Sequence, residues 1–262
     1  MKTAVITGGS SGIGLSACEV FVENGFDVYE LSRNGSDNGK IKHITCDVTD
    51  ENSVKDAFAE VMERSGNIDV LVNNAGFGIS GAAEFTALEQ AKKQFDVNFF
   101  GTVACTNEAV KYMRKSGGGT IVNVSSLAAP LSIPFQAFYS ASKSAVNSLT
   151  LAMANELRPF GIKVCAVMPG DVKTGFTAAR EKNTSGDDVY RGILQKSVST
   201  MEHDEQNGMS PKAIADKIYK LATAKSPKPL STVGAQYKFL VSLAKVLPTR
   251  TVNRIIGMIY AK

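Results

Sequence analysis

The 262-residue chain is predicted to fold as an α/β protein, with one doubly wound parallel sheet flanked by helices on both faces. Three observations predict this fold class. Short apolar runs alternate with helical patterns, the runs lack the strict polar alternation of half-exposed strands, and no internal repeat or linker interrupts them. Because one α/β domain commonly has this length, we expect a single domain over residues 1–262.

The apolar runs and helical patterns follow one another in a regular order. Six runs are predicted strands: Thr3–Thr7, Asp27–Leu31, Ile41–Cys46, Ile68–Val72, Thr120–Val124 and Ile162–Val167. Helices are predicted between them at Ile13–Asn24, Val54–Ser65, Ala87–Met113 and Phe138–Leu157. Such alternation indicates right-handed crossovers between parallel strands. Later, Ser210-Pro211 predicts the start of a helix over Ala213–Ala222, because Ser caps helices and Pro suits their first turn.

The composition is that of a globular protein and excludes several classes. The net charge is +4, with 44% apolar and 21% charged residues, which excludes a disordered chain and a strongly basic nucleic-acid coat. We therefore expect no nucleic-acid partner. No run approaches the roughly 18 apolar residues of a spanning helix, and the apolar stretch in MKTAVITGG is too brief for a signal peptide. The expected location is cytoplasmic.

The cysteines and histidines do not indicate a metal site. Four cysteines stand far apart, at Cys18, Cys46, Cys105 and Cys165, with no CxxC pair among them. We expect four reduced, mostly buried thiols. Because the only histidines are His43 and His203, no ligand cluster is apparent and no metal is expected.

A glycine-rich loop joins the first predicted strand to the first predicted helix. In Thr7-Gly-Gly-Ser-Ser-Gly-Ile-Gly14, Gly8 permits a tight turn, Gly12 leaves room for a pyrophosphate, and Gly14 lets the helix pack closely. The helix N-terminus offers free N–H groups and a partial positive charge to that anion. This context favours a dinucleotide site over a purely structural turn, and the predicted cradle also includes Ser10, Ser11 and Ile13.

The same loop also matches the GxSxG pattern of a hydrolase nucleophile elbow, through Gly8, Ser10 and Gly12. Such a site needs a His partner later in the chain, and only His43 and His203 are present. An elbow on the first strand would also leave little sheet before it. We therefore disfavour the hydrolase interpretation.

Further motifs follow the loop in a fixed order: Asp47-Val48, Asn73-Asn-Ala-Gly76, Asn98, Ser126, Tyr139-Ser-Ala-Ser-Lys143 and Pro169-Gly170 with Thr174. On these motifs the chain resembles the short-chain dehydrogenase/reductase family over residues 1–175. The resemblance implies a Rossmann-like fold, a nicotinamide cofactor and a homodimer or homotetramer. Extended relatives with epimerase or dehydratase chemistry share YxxxK, but they have a different glycine spacing and longer chains.

The end of the second strand predicts which nicotinamide cofactor binds. Dinucleotide folds use an acid there for the ribose 2′-OH, or an Arg for a 2′-phosphate. Ser32 stands where an NAD-type relative would carry Asp, and Arg33 offers a charged planar fork to phosphate. We therefore expect NADP(H) rather than NAD(H), with a solvated surface Arg33 as the ordinary alternative. Glu30 lies two residues too early, so we expect its side chain to point into a sheet face.

The resemblance implies further contacts with the cofactor. Asp47 would accept a hydrogen bond from the adenine amino group and the backbone of Val48 would donate one, with an Asx turn as the alternative for Asp47. The family's ribose-backing segment corresponds to Asn74, Ala75 and Gly76, for which a plain Asn-rich turn is the alternative. The segment implied to contact the nicotinamide amide comprises Pro169, Gly170, Val172 and Thr174.

A Tyr, a Lys and a Ser form the predicted reaction centre. Tyr139 and Lys143 are four residues apart and share one helix face. A free Tyr has a pKa of about 10, and a nearby ammonium stabilises its phenolate and lowers that pKa. Tyr139 can then serve as general acid for ketone reduction or general base for alcohol oxidation. Ser126 follows the strand Thr120–Val124 and is expected to polarise the carbonyl oxygen.

By resemblance, Lys143 also holds the nicotinamide ribose, and Asn98 holds a water for proton relay. Each residue has an ordinary alternative: a surface stripe for Tyr139 and Lys143, a turn for Ser126, and satisfaction of buried backbone groups at a helix bend for Asn98. The competing function is a non-catalytic cofactor-sensing or regulatory protein on the same fold. The intact Tyr139, Lys143 and Ser126 argue against it.

The last third of the chain is predicted to surround a substrate. The polar segment 175–210 is expected to form a lid with few apolar anchors, and Ile133, Pro134 and Phe135 are expected to add an apolar wall. We therefore expect a hydrophobic carbonyl or alcohol substrate, steroid- or lipid-like.

The tail, residues 234–262, has five basic residues and no acid, in an amphipathic pattern. It resembles the tails of some steroid-, retinol- or acyl-lipid-active members of the family. Such a tail can lie on an anionic membrane, pack on the core, roof the pocket or join a dimer. A buried apolar stripe is the commonest cause of this periodicity.

Overall fold

The structure, a computed structural model, describes residues 1–261, and within them seven parallel strands form the central sheet in the order β3-β2-β1-β4-β6-β7-β9. These strands are β1 Thr3–Thr7, β2 Asp27–Ser32, β3 Ile41–Thr45, β4 Val70–Asn73, β6 Gly119–Val124, β7 Ile162–Met168 and β9 Leu230–Thr232. The predicted doubly wound parallel sheet is confirmed. The strand order reverses between β1 and β4, the place where ligands bind in such sheets.

Helices cover both faces of the sheet. They are α1 Gly12–Glu23, α2 Glu51–Ser65, α3 Leu88–Phe95, α4 Gly101–Lys115, α5 Ala137–Glu156, α6 Phe176–Ala179, α7 Ile193–Gln206, α8 Pro211–Thr223, α9 Ala235–Val246 and α10 Thr249–Tyr260. Successive β1 residues point to opposite faces, as strand geometry requires. Ile6 packs in one apolar cluster with Phe21 of α1 and Ile214 of α8, whereas Val5 packs in another with Phe58 of α2.

One long predicted helix is divided in the structure. The helix expected over Ala87–Met113 is interrupted by a turn of π-helix at Asp96–Phe100, between α3 and α4. The added residue in a π-turn re-aims side chains, and such turns are frequent at functional sites. Asn98 lies inside this turn.

The segment after residue 174 is more ordered than the sequence predicted. Within the predicted lid, Glu181–Lys182 forms a short strand, β8, which pairs in parallel with β5 at Ile79–Ser80. Helix α7 packs its Leu194 and Val198 against Ala82 and Phe135, so the segment is anchored beside the predicted apolar wall. The edge strand β9 was also missed, and it pairs with β7.

The tail forms two helices that pack on the rest of the chain. One face of α9, with Tyr237, Leu240 and Val241, packs in a cluster with Leu127 and Leu131, which follow β6. Ile256 of α10 belongs to the same cluster. Between residues 1 and 261, no helix is both long enough and apolar enough to cross a bilayer.

Candidate active site

The glycine loop has two positions whose backbone conformation favours glycine. Gly8 and Gly12 have φ values of 64° and 56°, in the left-handed region that favours glycine. The Gly8 N–H donates to the Leu31 carbonyl at 2.7 Å, which ties the loop to β2. A Cβ on Gly14 would lie 2.1 Å from the carbonyl oxygen of Gly8. Helix α1 therefore begins directly against the loop.

The start of α1 presents free backbone donors. Ser11 is the N-cap residue, and its side chain makes no capping hydrogen bond. Ser10 and Ser11 are exposed, whereas Ile13 packs against the core. An uncapped helix N-terminus beside a glycine turn is suited to bind an anion. This geometry is compatible with the predicted phosphate cradle, which stays a prediction.

The end of β4 braces this loop from the other side. The amide nitrogen of the Asn74 side chain donates to the carbonyl oxygens of Thr7 and Gly8, each at 3.0 Å. The Thr7 hydroxyl oxygen accepts the backbone N–H groups of Asn74 and Ala75, also at 3.0 Å. The Asn-rich motif is therefore part of the loop's support rather than an independent turn.

An open cleft of about 700 Å³ lies beside the loop, at the ends of β2 and β3. Arg33 is exposed at this cleft, together with Gly9, Ser10 and Glu30. The Ser32 hydroxyl donates to Glu30 at 3.3 Å, and the ring of His43 hydrogen-bonds the same carboxylate oxygen. Glu30 is buried, as expected for a residue facing the sheet, but its carboxylate also borders the cleft.

Asp47 adopts the turn that sequence reasoning kept as its alternative. Its Oδ1 accepts hydrogen bonds from the backbone N–H and the hydroxyl of Thr49, at 2.9 and 2.7 Å. Burial acts to raise the pKa of Asp47, but these bonds and the charge of Arg33 outweigh it and leave the pKa below its usual value. Its neighbour Val48 is buried, with its side chain against Gly101. The predicted adenine contact of Asp47 and Val48 stays a prediction.

Tyr139, Lys143 and Ser126 meet where α5 begins and β6 ends. The Lys143 Nζ lies 5.8 Å from the centre of the Tyr139 ring and donates to the carbonyl oxygen of Val124 at 2.9 Å. Ser126 follows β6, and its hydroxyl oxygen accepts the N–H of Ala128 at 3.1 Å. The structure thus brings together the three residues predicted to form the reaction centre.

Burial shifts the pKa values of Tyr139 and Lys143 in opposite directions. It raises the pKa of Tyr139 to about 12, opposed in part by the Ser126 side chain and the charge of Arg180. It lowers the pKa of Lys143 to about 8. The predicted fall in the pKa of Tyr139 is therefore wrong for this structure. Desolvation of the phenolate outweighs its stabilisation by the Ser126 side chain and the charge of Arg180.

Asn98 satisfies buried backbone groups, as its alternative interpretation predicted. Its Oδ1 accepts the Phe77 N–H, and its Nδ2 donates to the Phe77 carbonyl, both at 3.0 Å. The same Nδ2 donates to the hydroxyl of Ser142 on α5 at 3.2 Å. A Cβ on Gly76 would lie 3.0 Å from Asn98 Oδ1 and 3.5 Å from Lys143 Nζ. Asn98 therefore lies beside the reaction centre, and its water-holding role stays a prediction.

The segment after β7 closes the site. The buried Pro169 carbonyl accepts the N–H of Leu127 at 2.9 Å, which joins this segment to the chain after Ser126. A Cβ on Gly12 would lie 3.5 Å from Thr174 Cβ, so Thr174 reaches the glycine loop.

Two residues of this segment, Gly170 and Val172, contact later parts of the chain. Gly170 lies against the ring of Tyr237 from the tail, where an added Cβ would come within 2.5 Å of the ring. Val172 forms a β-bridge with Met209. These contacts place the start of α9 next to the predicted nicotinamide segment.

Sequence reasoning missed two charged residues at this site. Arg180, which is only 4% exposed, forms an ion pair with Glu205 of α7. The ring of Phe176, at the start of the predicted lid, lies 5.8 Å from the Tyr139 ring and 5.6 Å from the Arg180 guanidinium carbon. A single Arg in a polar segment carries no spacing signal, so the sequence alone could not reveal its burial.

No group of three or more His, Cys, Asp or Glu side chains within residues 1–261 is arranged to hold a metal ion. The four cysteines are free and buried, as predicted. Burial raises the pKa of each thiol, which keeps the thiols protonated.

The sequence model of the short chain dehydrogenase family matches residues 2–185. The chain belongs to this family. It is 39% identical over 261 residues to the 3-ketodihydrosphingosine reductase of Bacteroides thetaiotaomicron, covering 98% of this chain and 97% of that protein. It is 28% identical over 271 residues to the NADPH-dependent 3-dehydrocapnine reductase of Ornithobacterium rhinotracheale, covering 97% and 96%.

Among solved structures, a short-chain dehydrogenase from Streptomyces avermitilis superposes with a TM-score of 0.84 at 28% identity, covering 98% of this chain and 95% of that one. The resemblance drawn from the motifs is thereby confirmed. As a short-chain dehydrogenase, the chain is an oxidoreductase that binds a nicotinamide cofactor.

The glycine loop and the residues around it fit a nicotinamide dinucleotide. The left-handed Gly8 and Gly12 and the uncapped start of α1 leave backbone donors free for a pyrophosphate. A Cβ at Gly9 would lie 2.5 Å from that of Glu30, so the loop lies tightly against β2 and the cleft stays open beside Arg33. The residues that would hold the nicotinamide end lie after β7.

Proposed function

We propose that this short-chain dehydrogenase is an NADP(H)-dependent enzyme that interconverts a carbonyl and a secondary alcohol on a lipid-like substrate. The observation that carries this proposal is the cluster of Tyr139, Lys143 and Ser126 beside the glycine loop, with Lys143 Nζ 5.8 Å from the Tyr139 ring. A half-buried phenol with a buried amine next to it suits proton exchange with a substrate oxygen.

The chain's own residues manage the proton and the developing charge. When bound, the nicotinamide supplies or accepts the hydride equivalent. Tyr139, with its pKa at about 12, is protonated near neutrality and donates its proton to the carbonyl oxygen during reduction. The ammonium of Lys143 stabilises the phenolate that is left. The Ser126 hydroxyl donates a hydrogen bond to the same oxygen and stabilises its charge.

Different residues hold the pyrophosphate, the adenosine side and the nicotinamide side of the cofactor. The glycine loop and the start of α1 hold the pyrophosphate. The adenosine side is held by Asp47, Val48 and the Asn74–Gly76 segment, and the nicotinamide side by Lys143 and the segment Pro169–Thr174. Asn98 holds a water for proton relay at the place where it meets Gly76 and Lys143.

The preference for NADP(H) rests on the cleft beside β2. Arg33 is exposed there and free to meet a 2′-phosphate, whereas a carboxylate oxygen of Glu30 already accepts the Ser32 hydroxyl and contacts His43. A guanidinium binds phosphate with two parallel charge-assisted hydrogen bonds. The Ornithobacterium relative is an NADPH-dependent reductase, which supports the same choice.

The lipid-like substrate is supported by the apolar surroundings of the site. Leu127, directly after Ser126, and Leu131 pack in one cluster with Val241 of α9. The ring of Phe176 lies beside Tyr139. Segment 175–210 would act as the lid and the tail as a roof. The 3-ketodihydrosphingosine named for the Bacteroides relative is a substrate of this kind.

For the outward face of the tail we propose contact with an anionic membrane surface. The inner face of α9 packs on the core, whereas Phe239 and Val246 are 70% and 78% exposed, next to Lys238 and Lys245. A basic amphipathic helix binds anionic lipid through such apolar and cationic groups together. We also propose a homodimer or homotetramer through another surface of the chain.

Fluorescence titrations of the purified protein with NADPH and NADH, followed by a panel of long-chain ketones, test this function. The chain has no Trp to disturb the signal. We expect tighter binding of NADPH and turnover of apolar ketones. Nucleotide binding without turnover on any ketone would instead support a cofactor-sensing protein, and binding of neither nucleotide would refute the proposal.

A further inference from the structure

The guanidinium of Arg180 is buried with part of its hydrogen-bonding capacity unused. Its side chain has no solvent exposure, and Nη2 donates to Glu205. Its Nε and Nη1 groups have no hydrogen-bond partner in the structure. Buried N–H groups of a charged side chain are costly to leave unpaired, and such groups in native proteins call for an explanation.

Arg180 is held firmly on the substrate side of the site. It directly precedes β8, and the N–H of Glu181 donates to the carbonyl of Gly78 at 3.0 Å. The centre of the Phe176 ring lies 5.6 Å from the Arg180 guanidinium carbon and 5.8 Å from the centre of the Tyr139 ring. The charge of Arg180 acts on the pKa of Tyr139. The free N–H groups are therefore within a few bonds' reach of a carbonyl placed at Tyr139.

The charges around Arg180 select the kind of group it can bind. Glu205 offsets its charge and is itself held by the Thr177 hydroxyl, at 2.6 Å. Because Glu205 already offsets the charge of the guanidinium, a second carboxylate from the substrate would gain little there, whereas an uncharged oxygen would still meet the free donors.

We infer that the unpartnered N–H groups of Arg180 bind an uncharged substrate oxygen, a hydroxyl within a few bonds of the reacting carbonyl. The inference rests on the proposed function and specifies its substrate class: an apolar chain that carries a carbonyl and a neighbouring hydroxyl, without an acid group. Arg180 is then a specificity-determining residue, and a simple ketone leaves its donors unsatisfied.

Kinetics on four ketones test this inference. Each carries an octyl chain on one side of the carbonyl and a methyl, hydroxymethyl, hydroxyethyl or carboxylate group on the other. The measured quantity is kcat/KM for the better hydroxylated ketone divided by kcat/KM for the methyl ketone. We expect Arg180→Met to lower this ratio about tenfold or more. Intrinsic differences in ketone reactivity cancel when the variant is compared with the wild type. The carboxylate ketone is expected to be the poorest substrate.

Two further variants separate recognition from stability. Removing Arg180 leaves the half-buried Glu205 without its charged partner, which is destabilising. The double variant Arg180→Met with Glu205→Gln removes both charges and is expected to lower the ratio as the single variant does. The control Lys182→Met breaks the exposed Lys182–Glu202 pair two residues along the same segment and should leave the ratio unchanged.

An unchanged ratio in the Arg180 variants, or an equal loss on all ketones, would overturn the inference. Absence of turnover on every ketone by the wild type would contradict the proposed function, and calorimetry would then decide the role of Arg180. The inference would be supported if octyl alcohols with a neighbouring hydroxyl bind more tightly than octyl alcohols without one, and if this difference is lost in Arg180→Met. Equal binding of both alcohols would refute it.

Discussion

The Lys143 side chain donates a hydrogen bond from Nζ to the carbonyl oxygen of Val124 at 2.9 Å, across from helix α5 to the last residue of β6. This bond holds a buried amine beside the Tyr139 ring, and no carboxylate within residues 1–261 forms an ion pair with it. Val124 is directly followed by Ser125 and Ser126, so one contact fixes the relative positions of the amine and the predicted carbonyl-polarising hydroxyl.

The lowered pKa of Lys143 predicts the pH dependence of reduction. Its pKa is about 8, so the ammonium is present below that pH and is lost as the pH rises through it. Tyr139 stays protonated over this range, with its pKa at about 12. We expect kcat/KM for ketone reduction to fall above a pH of about 8, because neutral Lys143 no longer stabilises the phenolate. The profile of the free enzyme reports this group.

Lys143→Arg provides the control for that profile. An Arg stays charged throughout the accessible pH range, so the fall near pH 8 should disappear even if the rate is lower at every pH. A fall near pH 8 that persists in Lys143→Arg would assign it to another group.

The contact between Gly14 and Gly8 predicts the effect of a single methyl group. In Gly14→Ala, the new Cβ would overlap the Gly8 carbonyl oxygen, so the loop or the start of α1 must move. We expect a loss of about 1–3 kcal/mol in the free energy of unfolding, and at least tenfold weaker binding of the nucleotide. Denaturant unfolding and fluorescence titration measure the two effects.

The matched control is Gly257→Ala, which is also inside a helix but has no heavy atom within 4 Å of the new Cβ. That variant should be neutral or more stable by up to about 1 kcal/mol, since Ala favours a helix over Gly. Equal behaviour of the two variants would mean that the close packing of α1 on the loop does not matter.

Arg33 predicts how nucleotide preference can be changed. Replacing Ser32→Asp together with Arg33→Asp removes the phosphate-binding cation and adds a ribose-binding acid. We expect about 10- to 100-fold weaker NADPH binding, with NADH binding kept or improved. Arg64→Asp on the exposed face of α2, where Arg64 pairs with Glu60, is the control. Unchanged preference in the double variant would defeat the assignment of Arg33.

The tail predicts charge-dependent binding to lipid vesicles. Lys238→Glu with Lys245→Glu reverses two charges next to exposed Phe239 and Val246. At about 1 kcal/mol per basic residue near the surface, we expect at least tenfold weaker cosedimentation with phosphatidylserine vesicles. Lys55→Glu with Lys115→Glu changes the net charge equally on exposed positions of α2 and α4. No wild-type binding at low salt would reject membrane contact.

The sheet and the motif positions could be predicted from the sequence because they depend on local patterns. β1 was placed at its observed bounds, since a continuous apolar run ending at glycines has few alternatives. β9 was missed because three residues at a sheet edge are too few to show a pattern. The bounds of α7 could not be predicted, because its buried face, with Leu194, Val198 and Met201, lies in a largely polar segment.

The chemistry of the site was only partly predictable for a related reason. Spacing along a helix places Tyr139 and Lys143 together, but it does not tell how far each is desolvated, and desolvation decides both pKa values. Arg180 and Glu205 are brought together by β8 and α7 across 25 residues of sequence. Their pairing is a property of the fold, with no counterpart in local spacing.

Tyr139→Phe tests the central claim most directly, by comparing NADPH binding with the rate of ketone reduction in the variant and the wild type. The ring and its packing on Phe176 are kept, so NADPH should bind within about twofold of the wild type, while turnover should fall by roughly 10²- to 10⁴-fold. Tyr219→Phe on α8, where the ring packs against Phe21 and Phe26, should leave both unchanged. Turnover retained in Tyr139→Phe would contradict the account.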